Sequence, residues 1–307
     1  MDAKQIRVSI SRFFARAGLR ISMFFVSISP PFFLYAFAGF VARAGYLIAA
    51  KQRKIALDSL KTAFGNEKPE AEINRIARDC FTYMAKSAIE LMYLMGKPKL
   101  LKRRVSIEGR EHLDKALARG KGIILVSAHF GNFPLLLAKL SLEGYKSAGI
   151  MRQMRDLKVE ELFLKMRNAL GIRTIYAQPR NTCVNSTIES LRKNELVFIP
   201  IDQNFGTAGV FVDFFGVKAA TATGPVVLAQ RTQAALLPCF IIRQKDDTHK
   251  LVFEPEIVLK QAENAQQTIL VNIQELTGII ERYIRRYPAE WGWIHRRWKS
   301  KPSKSNE

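Results

Sequence analysis

The sequence predicts an α/β fold in which helices flank a mostly parallel central sheet, preceded by an N-terminal helical segment associated with a membrane. Nearly continuous apolar runs of five to eight residues, typical of strands buried on both faces, recur along the chain. Segments with apolar residues at three- and four-residue spacing separate them, as amphipathic helices do. This alternation is typical of layers of helices covering a parallel sheet. A long uncharged run near the N-terminus predicts the membrane-associated segment.

That segment occupies residues 1–50, which we predict to be a basic N-terminus followed by membrane-anchoring or interfacial helices. The uncharged run extends from Ile21 to Ala42, close to the length of a membrane span. The Pro30-Pro31 pair interrupts it, so both a spanning helix and an interfacial helix remain open. A buried helical hairpin in a soluble protein is the weaker alternative, because so many apolar side chains flanked by cations are costly to bury. Five basic residues precede the run: Lys4, Arg7, Arg12, Arg16 and Arg20.

The charge balance points to an anionic partner. Lys and Arg total 48 against 27 Asp and Glu, a net charge of +21, which favours either nucleic acid or anionic membrane lipids. A nucleic-acid binder would not need the apolar run, so we expect membrane lipids and no nucleic acid. The three cysteines are far apart and fit free thiols in a reducing compartment. With four scattered histidines, we expect no metal site.

Residues 51–299 are predicted to form the α/β domain, and residues 300–307 a polar tail. A helix covers residues 70–95, and a short strand, a turn at Gly109 and a helix lead to Gly120. Beyond it, an apolar strand in "FVDFFG", a glycine turn and a helix start in "TATGP" are expected. The predicted strands are "GIILVSAH", "SAGIMRQ", "RTIYAQ", "ELVFIPID", "LLPCFIIRQ" and "KLVFEPEIVL". The predicted helices between and after them are "LLLAKLSLEGY", "KVEELFLKMRNALGI", "TCVNSTIESLRKN", "TGPVVLAQRTQA" and "AQQTILVNIQELTGIIERYIRRY".

Two residues that could carry chemistry follow predicted buried strands. His129 ends "GIILVSAH" and Asp202 ends "ELVFIPID", so both would lie at the carboxyl edge of the sheet, where ligands bind in open α/β folds. A histidine can accept a proton from a hydroxyl near neutral pH, and a carboxylate would orient its ring. The alternatives are a loop histidine bonded to a backbone carbonyl and, for Asp202, a helix cap or turn residue.

Other residues near that edge could bind substrate. Gly131 and Asn132 follow His129, where a glycine allows close approach and amides at a helix start could hold an oxyanion. Guanidinium groups at Arg152, Arg155 and Arg167 suit phosphate or carboxylate recognition. A solvated charged face is the alternative for these arginines.

From about residue 30 to 299 the chain resembles the lipid A biosynthesis lauroyl/myristoyl acyltransferases, part of a wider group that includes the glycerol-phosphate acyltransferases. The matching segments, in order, are "SAHFGNF", "MRQMRD", "RNALGI", "IPIDQNFG", "VFVDFFGVKAATATGP", "LLPCF" and "WGWIHRRWK". The resemblance implies a glycerol-phosphate-acyltransferase-like α/β fold. It also implies transfer of a fatty acyl chain from an acyl thioester, on acyl carrier protein or CoA, to a hydroxyl of a lipid or glycolipid.

In that resemblance His129 is the general base, and Gln203 and Asn204 join the substrate-binding residues. The family motif has an acid five positions after the histidine, and here that position is Pro134. Either Asp202 replaces the missing acid, which we favour, or the chain is a weakly active or non-catalytic lipid-binding relative. No cofactor is expected beyond the thioester co-substrate. We expect a monomer on the cytoplasmic side of the cell inner membrane; the acceptor, the chain length and the carrier stay open.

Overall fold

The structure, a computed structural model, describes residues 3–302, and the side chains from residue 12 onward. The helices are α1 (Ala3–Ile28), α2 (Pro31–Ile48), α3 (Ala50–Phe64), α4 (Glu70–Met95), α5 (Pro98–Arg104), α6 (Arg110–Leu117), α7 (Phe133–Leu142), α8 (Leu157–Ala169), α9 (Arg180–Arg192), α10 (Gly224–Thr232) and α11 (Ala265–Arg286). The strands are β1 (Val105–Glu108), β2 (Ile123–Ser127), β3 (Ser147–Met151), β4 (Ile172–Tyr176), β5 (Leu196–Pro200), β6 (Val210–Phe214), β7 (Val217–Thr221), β8 (Ala235–Arg243) and β9 (His249–Phe253). Most of the predicted tail, residues 303–307, lies outside the described residues.

The central sheet of the described chain has seven strands in the order β1-β9-β8-β2-β5-β3-β4. Every neighbouring pair is parallel except β8 with β9, which form an antiparallel hairpin. The predicted mostly parallel sheet is therefore confirmed. The strands β2 and β5 are direct neighbours, and Ser127 is paired with Pro200 at their carboxyl ends.

Helices cover both faces of the sheet, which explains the continuous apolar runs. Successive side chains of a strand point to opposite faces. In β2, Ile124 and Val126 belong to one apolar cluster and Ile123 and Leu125 to the other, and all four are buried. A strand enclosed in this way has no polar face, so the sequence shows no alternation.

The region after residue 209 differs from the prediction in one element. The strand β6 and the helix start at Gly224 are present, but β7 lies between them and pairs antiparallel with β6. Phe215 and Gly216 form the two-residue turn, both with positive φ (54° and 71°), as a type I′ hairpin requires. The sequence missed β7 because the three central residues of "VKAAT", Lys218, Ala219 and Ala220, are of types depleted in strands.

The N-terminal helices α1 and α2 lie on α4. The break between them falls at the Pro30-Pro31 pair, as expected from the sequence. Val26, Leu34 and Ala38 form a small apolar cluster with Ile89 of α4. In the part of the chain that the structure describes, α2 is the one helix long and apolar enough to cross a membrane, and only 17% of it is buried. The division of the chain at residue 50 stays a prediction.

Candidate active site

The parallel pairing of β2 with β5 brings the two predicted residues together. His129 lies two residues beyond the end of β2, and Asp202 two residues beyond the end of β5. Because Ser127 and Pro200 are register partners, the two chain ends leave the sheet side by side. Both residues therefore lie at the carboxyl edge of the sheet, as the sequence indicated.

His129 and Asp202 form a direct hydrogen bond. The Nδ1 atom of His129 lies 2.8 Å from Oδ1 of Asp202, and the backbone N–H of His129 donates to Oδ2 at 2.9 Å. The ring is thus bonded to a carboxylate, not to a backbone carbonyl as in the alternative interpretation. With Nδ1–H as the donor, Nε2 is the basic nitrogen. The contact that strand order predicted is present; the catalytic roles of the two residues stay predictions.

The hydrogen-bonded pair shifts the pKa of each partner in the direction that favours its charged form. Burial lowers the pKa of His129, but the charge and hydrogen bond of Asp202 raise it by more, so the net shift is above the ordinary 6.5. Burial raises the pKa of Asp202, which is only 3% exposed, but the hydrogen bonds to its carboxylate and the nearby imidazole lower it by more. The aspartate therefore stays ionised and stabilises an imidazolium.

A third element of the site comes from the C-terminal segment that follows α11. Trp291 is buried, and its Nε1–H donates to Oδ2 of Asp202 at 2.8 Å. The same tryptophan forms an isolated antiparallel bridge with Phe130, and the amide of Gly292 donates to the carbonyl of His129 at 3.3 Å. The segment "WGWIHRRWK" marked the family resemblance, but the sequence gave no indication that it contacts His129 and Asp202.

Gly131 is a glycine for a reason different from the expected one. Its φ is +58°, and a Cβ there would lie 1.9 Å from the carbonyl oxygen of Ile241, which no side chain could tolerate. Its amide already donates to the carbonyl oxygen of Glu290 at 2.8 Å. The close approach that the glycine allows is therefore to neighbouring backbone. Gly131 still lines the cavity beside His129.

Asn132 anchors the turn after His129 to a buried polar cluster. Its Nδ2 donates to Oε2 of Glu90 at 3.1 Å and to the carbonyl of Ser87 at 3.2 Å. Asn132 is 2% exposed, so its amide group stabilises the turn from inside. The predicted contact with substrate would have to come from its backbone. Among residues 3–302, the amides of Asn132 and Phe133 donate to no acceptor.

Glu90 on α4 is the centre of that cluster. Both of its carboxylate oxygens accept from the guanidinium of Arg243, at 2.6 and 2.7 Å, and Oε2 lies 3.0 Å from Nε2 of His249. Burial raises the pKa of Glu90, but His249 and Arg243 lower it by more, to about 2. Tyr35 of α2 also donates to Glu90, at 2.7 Å. The cluster therefore links α2, α4, the sheet and the turn after His129.

His129 and Asp202 line a cavity of about 470 Å³ between α4, the turn after β2 and the C-terminal segment. Apolar side chains from all three contribute, including Met84, Leu91, Phe133 and Ile294. The ring of Phe133 contacts that of His129 edge-on, with centroids 5.1 Å apart. Pro134, in the first turn of α7, also lines the cavity. Among the described residues, no group of His, Cys, Asp or Glu could hold a metal ion.

Two predicted residues that follow Asp202 have different environments. Gln203 is exposed and lines the cavity. Asn204 does not line it, because its side chain bonds to Ser300 and its amide donates to Nε2 of His295 at 3.0 Å. Asn204 thus holds the C-terminal segment in place. His295 itself lines the cavity, in the tautomer with the proton on Nδ1.

The three predicted arginines lie outside the cavity lining. Arg167 forms an ion pair with Glu160, which also accepts from the backbone N–H of Met154 at 2.8 Å. Arg167 thereby supports the loop after β3. Arg152 and Arg155 are exposed in that loop, on the same sheet edge as His129. Their substrate contacts stay predictions.

A cavity lined largely by apolar side chains, with a hydrogen-bonded histidine in its lining, suits acyl transfer, and the chain matches a family of acyltransferases. Residues 3–300 match the family model described as bacterial lipid A biosynthesis acyltransferase. The chain belongs to that family, as the sequence motifs indicated.

The chain is similar to several curated members. It is 26% identical over 260 residues to the lipid A biosynthesis palmitoleoyltransferase of Escherichia coli K12, covering 82% of this chain and 80% of that one. It is 28% identical over 204 residues to the lipid A biosynthesis lauroyltransferase of the same organism, covering 65% and 63%. It is 27% identical over 200 residues to a phosphatidylinositol mannoside acyltransferase of Mycobacterium tuberculosis, covering 65% and 61%.

Proposed function

We propose that the protein transfers a fatty acyl chain from an acyl thioester, carried by CoA or acyl carrier protein, to a hydroxyl of a lipid or glycolipid acceptor. The observation that carries this proposal is the His129–Asp202 hydrogen bond in the lining of a largely apolar cavity. The similarity to acyltransferases named for lipid A and for phosphatidylinositol mannoside supports a lipid or glycolipid acceptor. The protein requires no cofactor other than the thioester co-substrate and acts as a monomer.

His129 acts as the general base. Its Nδ1–H donates to Asp202, so Nε2 takes the proton from the acceptor hydroxyl as the oxygen attacks the thioester carbonyl. The carbonyl oxygen then carries negative charge, and the amides of Asn132 and Phe133 at the start of α7 are suited to bind it. As the intermediate collapses, the C–S bond breaks and the imidazolium returns its proton to the departing thiolate. The products are the ester and the free thiol.

The N-terminal helices place this site at an anionic membrane surface, on the cytoplasmic side of the inner membrane. Large apolar side chains of α1 and α2 face outward, among them Phe14, Phe24, Phe32 and Phe40, each more than half exposed. The net charge of +21 adds attraction of about 1 kcal/mol for each cation close to anionic lipid. This arrangement supports a lipid partner and no role for nucleic acid.

Thiol release tests the reaction. Purified protein incubated with lauroyl-CoA, or with lauroyl-acyl carrier protein, and extracted bacterial lipids should release free thiol and yield an acylated lipid detectable by mass spectrometry. The His129→Ala variant is the control. No thiol release with either carrier would contradict the proposal.

The second candidate is a lipid-binding relative without catalysis. One observation favours it: the position of the family acid is occupied by Pro134, which carries no charge. Such a protein would retain lipid in the cavity without releasing thiol, so the same assay separates the two functions.

A further inference from the structure

Glu290 lies in the same cavity as His129, and the reaction proposed above does not use it. It ends a short 3₁₀ helix, Pro288–Glu290, and its carbonyl oxygen accepts from the amide of Gly131. The residue is 7% exposed and lines the cavity together with His129. Glu290 is therefore fixed beside the turn that carries the general base.

Within the described part of the chain, the carboxyl group of Glu290 has no cation as a partner. The one donor to its Oε2 among these residues is the backbone N–H of Arg243, at 3.0 Å. The guanidinium of Arg243 is instead bonded to both oxygens of Glu90. Among residues 3–302 no partner bonds to Oε1 of Glu290, and this atom is not one of the buried unpaired polar atoms, so it is open to the cavity.

These surroundings favour the neutral acid. A buried carboxylate without an ion pair is costly, and the group responds by binding a proton. Burial raises the pKa of Glu290 to about 7; the amide and the charge of Arg243 oppose this shift, and the negative charge of Glu90 adds to it. The other titratable groups near Glu290 are Tyr83 on α4, Tyr287 at the end of α11, and His129, Asp202 and His295 in the cavity.

We propose that neutral Glu290 is a substrate-contacting residue, whose carboxyl O–H donates a hydrogen bond to the carbonyl oxygen of the acyl group bound in the cavity. This inference rests on the proposed function. The carbonyl is the polar atom of a bound acyl chain, and Oε1 is a polar atom open to the apolar cavity. The donor strengthens as the carbonyl oxygen gains negative charge, and the proton stays on Glu290 throughout.

The hydrogen bond from neutral Glu290 to the acyl carbonyl should make activity fall at alkaline pH. When Glu290 loses its proton it can no longer donate, and its charge opposes that of the developing oxyanion. Turnover should therefore fall as pH rises through a value near 7. On the acid side turnover falls because His129 becomes protonated.

The test is kcat/KM for thiol release from lauroyl-CoA as a function of pH. Wild type should give a bell-shaped profile. Glu290→Gln keeps a donor and the acceptor for Arg243 but cannot ionise, so it should retain activity at pH 7 within about threefold and lose the alkaline limb. Glu290→Leu has no donor and should lose about 10-fold or more, since one oxyanion donor is worth about 10²–10³. Glu254→Gln, a carboxyl outside the cavity bonded to Tyr283, should leave the profile unchanged.

The outcomes separate this inference from the proposed function. An active wild type whose Glu290→Gln variant keeps the alkaline limb overturns the role of Glu290 alone. A wild type without thiol release overturns the proposed function. Infrared difference spectra between wild type and Glu290→Gln add a measurement that needs no turnover. They should show a carboxylic-acid C=O band at pH 6 that vanishes at pH 9, and its absence at pH 6 overturns the inference.

Discussion

The carboxyl edge of the sheet and the N-terminal helices differ in which side chains they bury. At the edge, charged groups such as Asp202 and Glu90 are buried and fully engaged in hydrogen bonds. In α1 and α2, apolar groups such as Phe32 are exposed, at 77% in that case. Charges are stable inside only with partners, and a large apolar surface is stable outside only with something to cover it. The first region therefore buries paired charges, and the second leaves an apolar surface that suits the proposed contact with lipid.

The two regions are also connected. Tyr35 of α2 donates to Glu90, and Glu90 accepts from Asn132 in the turn after His129. Arg16 of α1 bonds to Asp156 in the loop after β3, at 2.8 Å. The helix α1 therefore contacts the loop after β3 directly, and α2 is connected to the turn after His129 through Glu90 of α4.

Removing the general base should have the largest effect. In His129→Ala, turnover should fall by roughly 10²–10⁴ because no group remains to take the hydroxyl proton. Thiol release measured at pH 7.5 checks this, with circular dichroism to confirm folding. His112→Ala, a histidine of α6 outside the cavity, should behave as wild type. Near-normal turnover of a folded His129→Ala protein would refute the mechanism.

Breaking the buried ion pair between Glu90 and Arg243 should lower the stability of the fold. Glu90→Leu leaves Arg243 buried without its carboxylate, and the free energy of unfolding should fall by about 3–5 kcal/mol. Urea unfolding measures the change. The matched control is Glu70→Leu on the same helix, which removes an exposed pair with Lys61 and should cost less than about 1 kcal/mol. Equal losses in the two variants would show that the cluster has no special role.

Making the exposed face of α2 polar should weaken lipid contact and spare the fold. Phe32, Phe33 and Phe40 are exposed, so changing all three to Ser removes no core packing. If each contributes about 1 kcal/mol on partial transfer to lipid, partition onto anionic vesicles should drop by roughly 100-fold. Sedimentation with vesicles measures it. The same change at the exposed Leu157 and Val258, outside α1 and α2, is the control. Unaltered partition of the triple variant would contradict a membrane role for α2.

Removing the charge of Asp202 should give a smaller, pH-dependent effect. Asp202 raises the pKa of His129, so in Asp202→Asn that pKa falls and the base stays neutral to lower pH. The acidic limb of kcat should move to lower pH, while turnover drops by about 10-fold because the imidazolium is less stable. The KM for the acceptor should stay nearly constant. A loss of thermal stability with an unshifted pH profile would make Asp202 a structural residue only.

Restoring the acidic residue of the family motif at position 134 should have the smallest effect on activity. Pro134 lies in the first turn of α7, where a carboxylate is favoured by the free amides of the helix start. Pro134→Glu should keep activity within about threefold of wild type or raise it, as thiol release would show. A collapse of activity in a folded variant would indicate that the cavity has no room for a charge at this position.

Much of the sheet, and the proximity of His129 and Asp202, could be predicted from local sequence patterns. The continuous apolar runs of β2 and β5 reflect burial on both faces, which the sequence of each strand indicates without reference to the other. Because the carboxyl ends of neighbouring parallel strands meet at one edge, the same runs placed His129 near Asp202. The break between α1 and α2 was equally local, since proline disrupts a helix wherever it occurs.

Only the tertiary structure showed what surrounds the pair. Trp291 is 89 residues from Asp202 in sequence, and nothing in its local pattern indicates a hydrogen bond to that carboxylate. Gly131 is a glycine because of Ile241, a contact between the turn after β2 and the strand β8 that no local rule contains. Likewise Asn204 faces Ser300, and Arg167 faces Glu160, although both seemed free to meet substrate.

Sequence by itself determined most of the helices and strands of this protein, the family, the apolar N-terminus and the two residues that leave the sheet side by side. Those features depend on periodicity, composition and strand ends, which are properties of short stretches of chain. The tertiary structure decided which polar groups are paired and which are left facing the cavity, Glu290 above all. Its neutral form depends on burial and on Arg243 being engaged by Glu90, and both arise only when distant segments pack together.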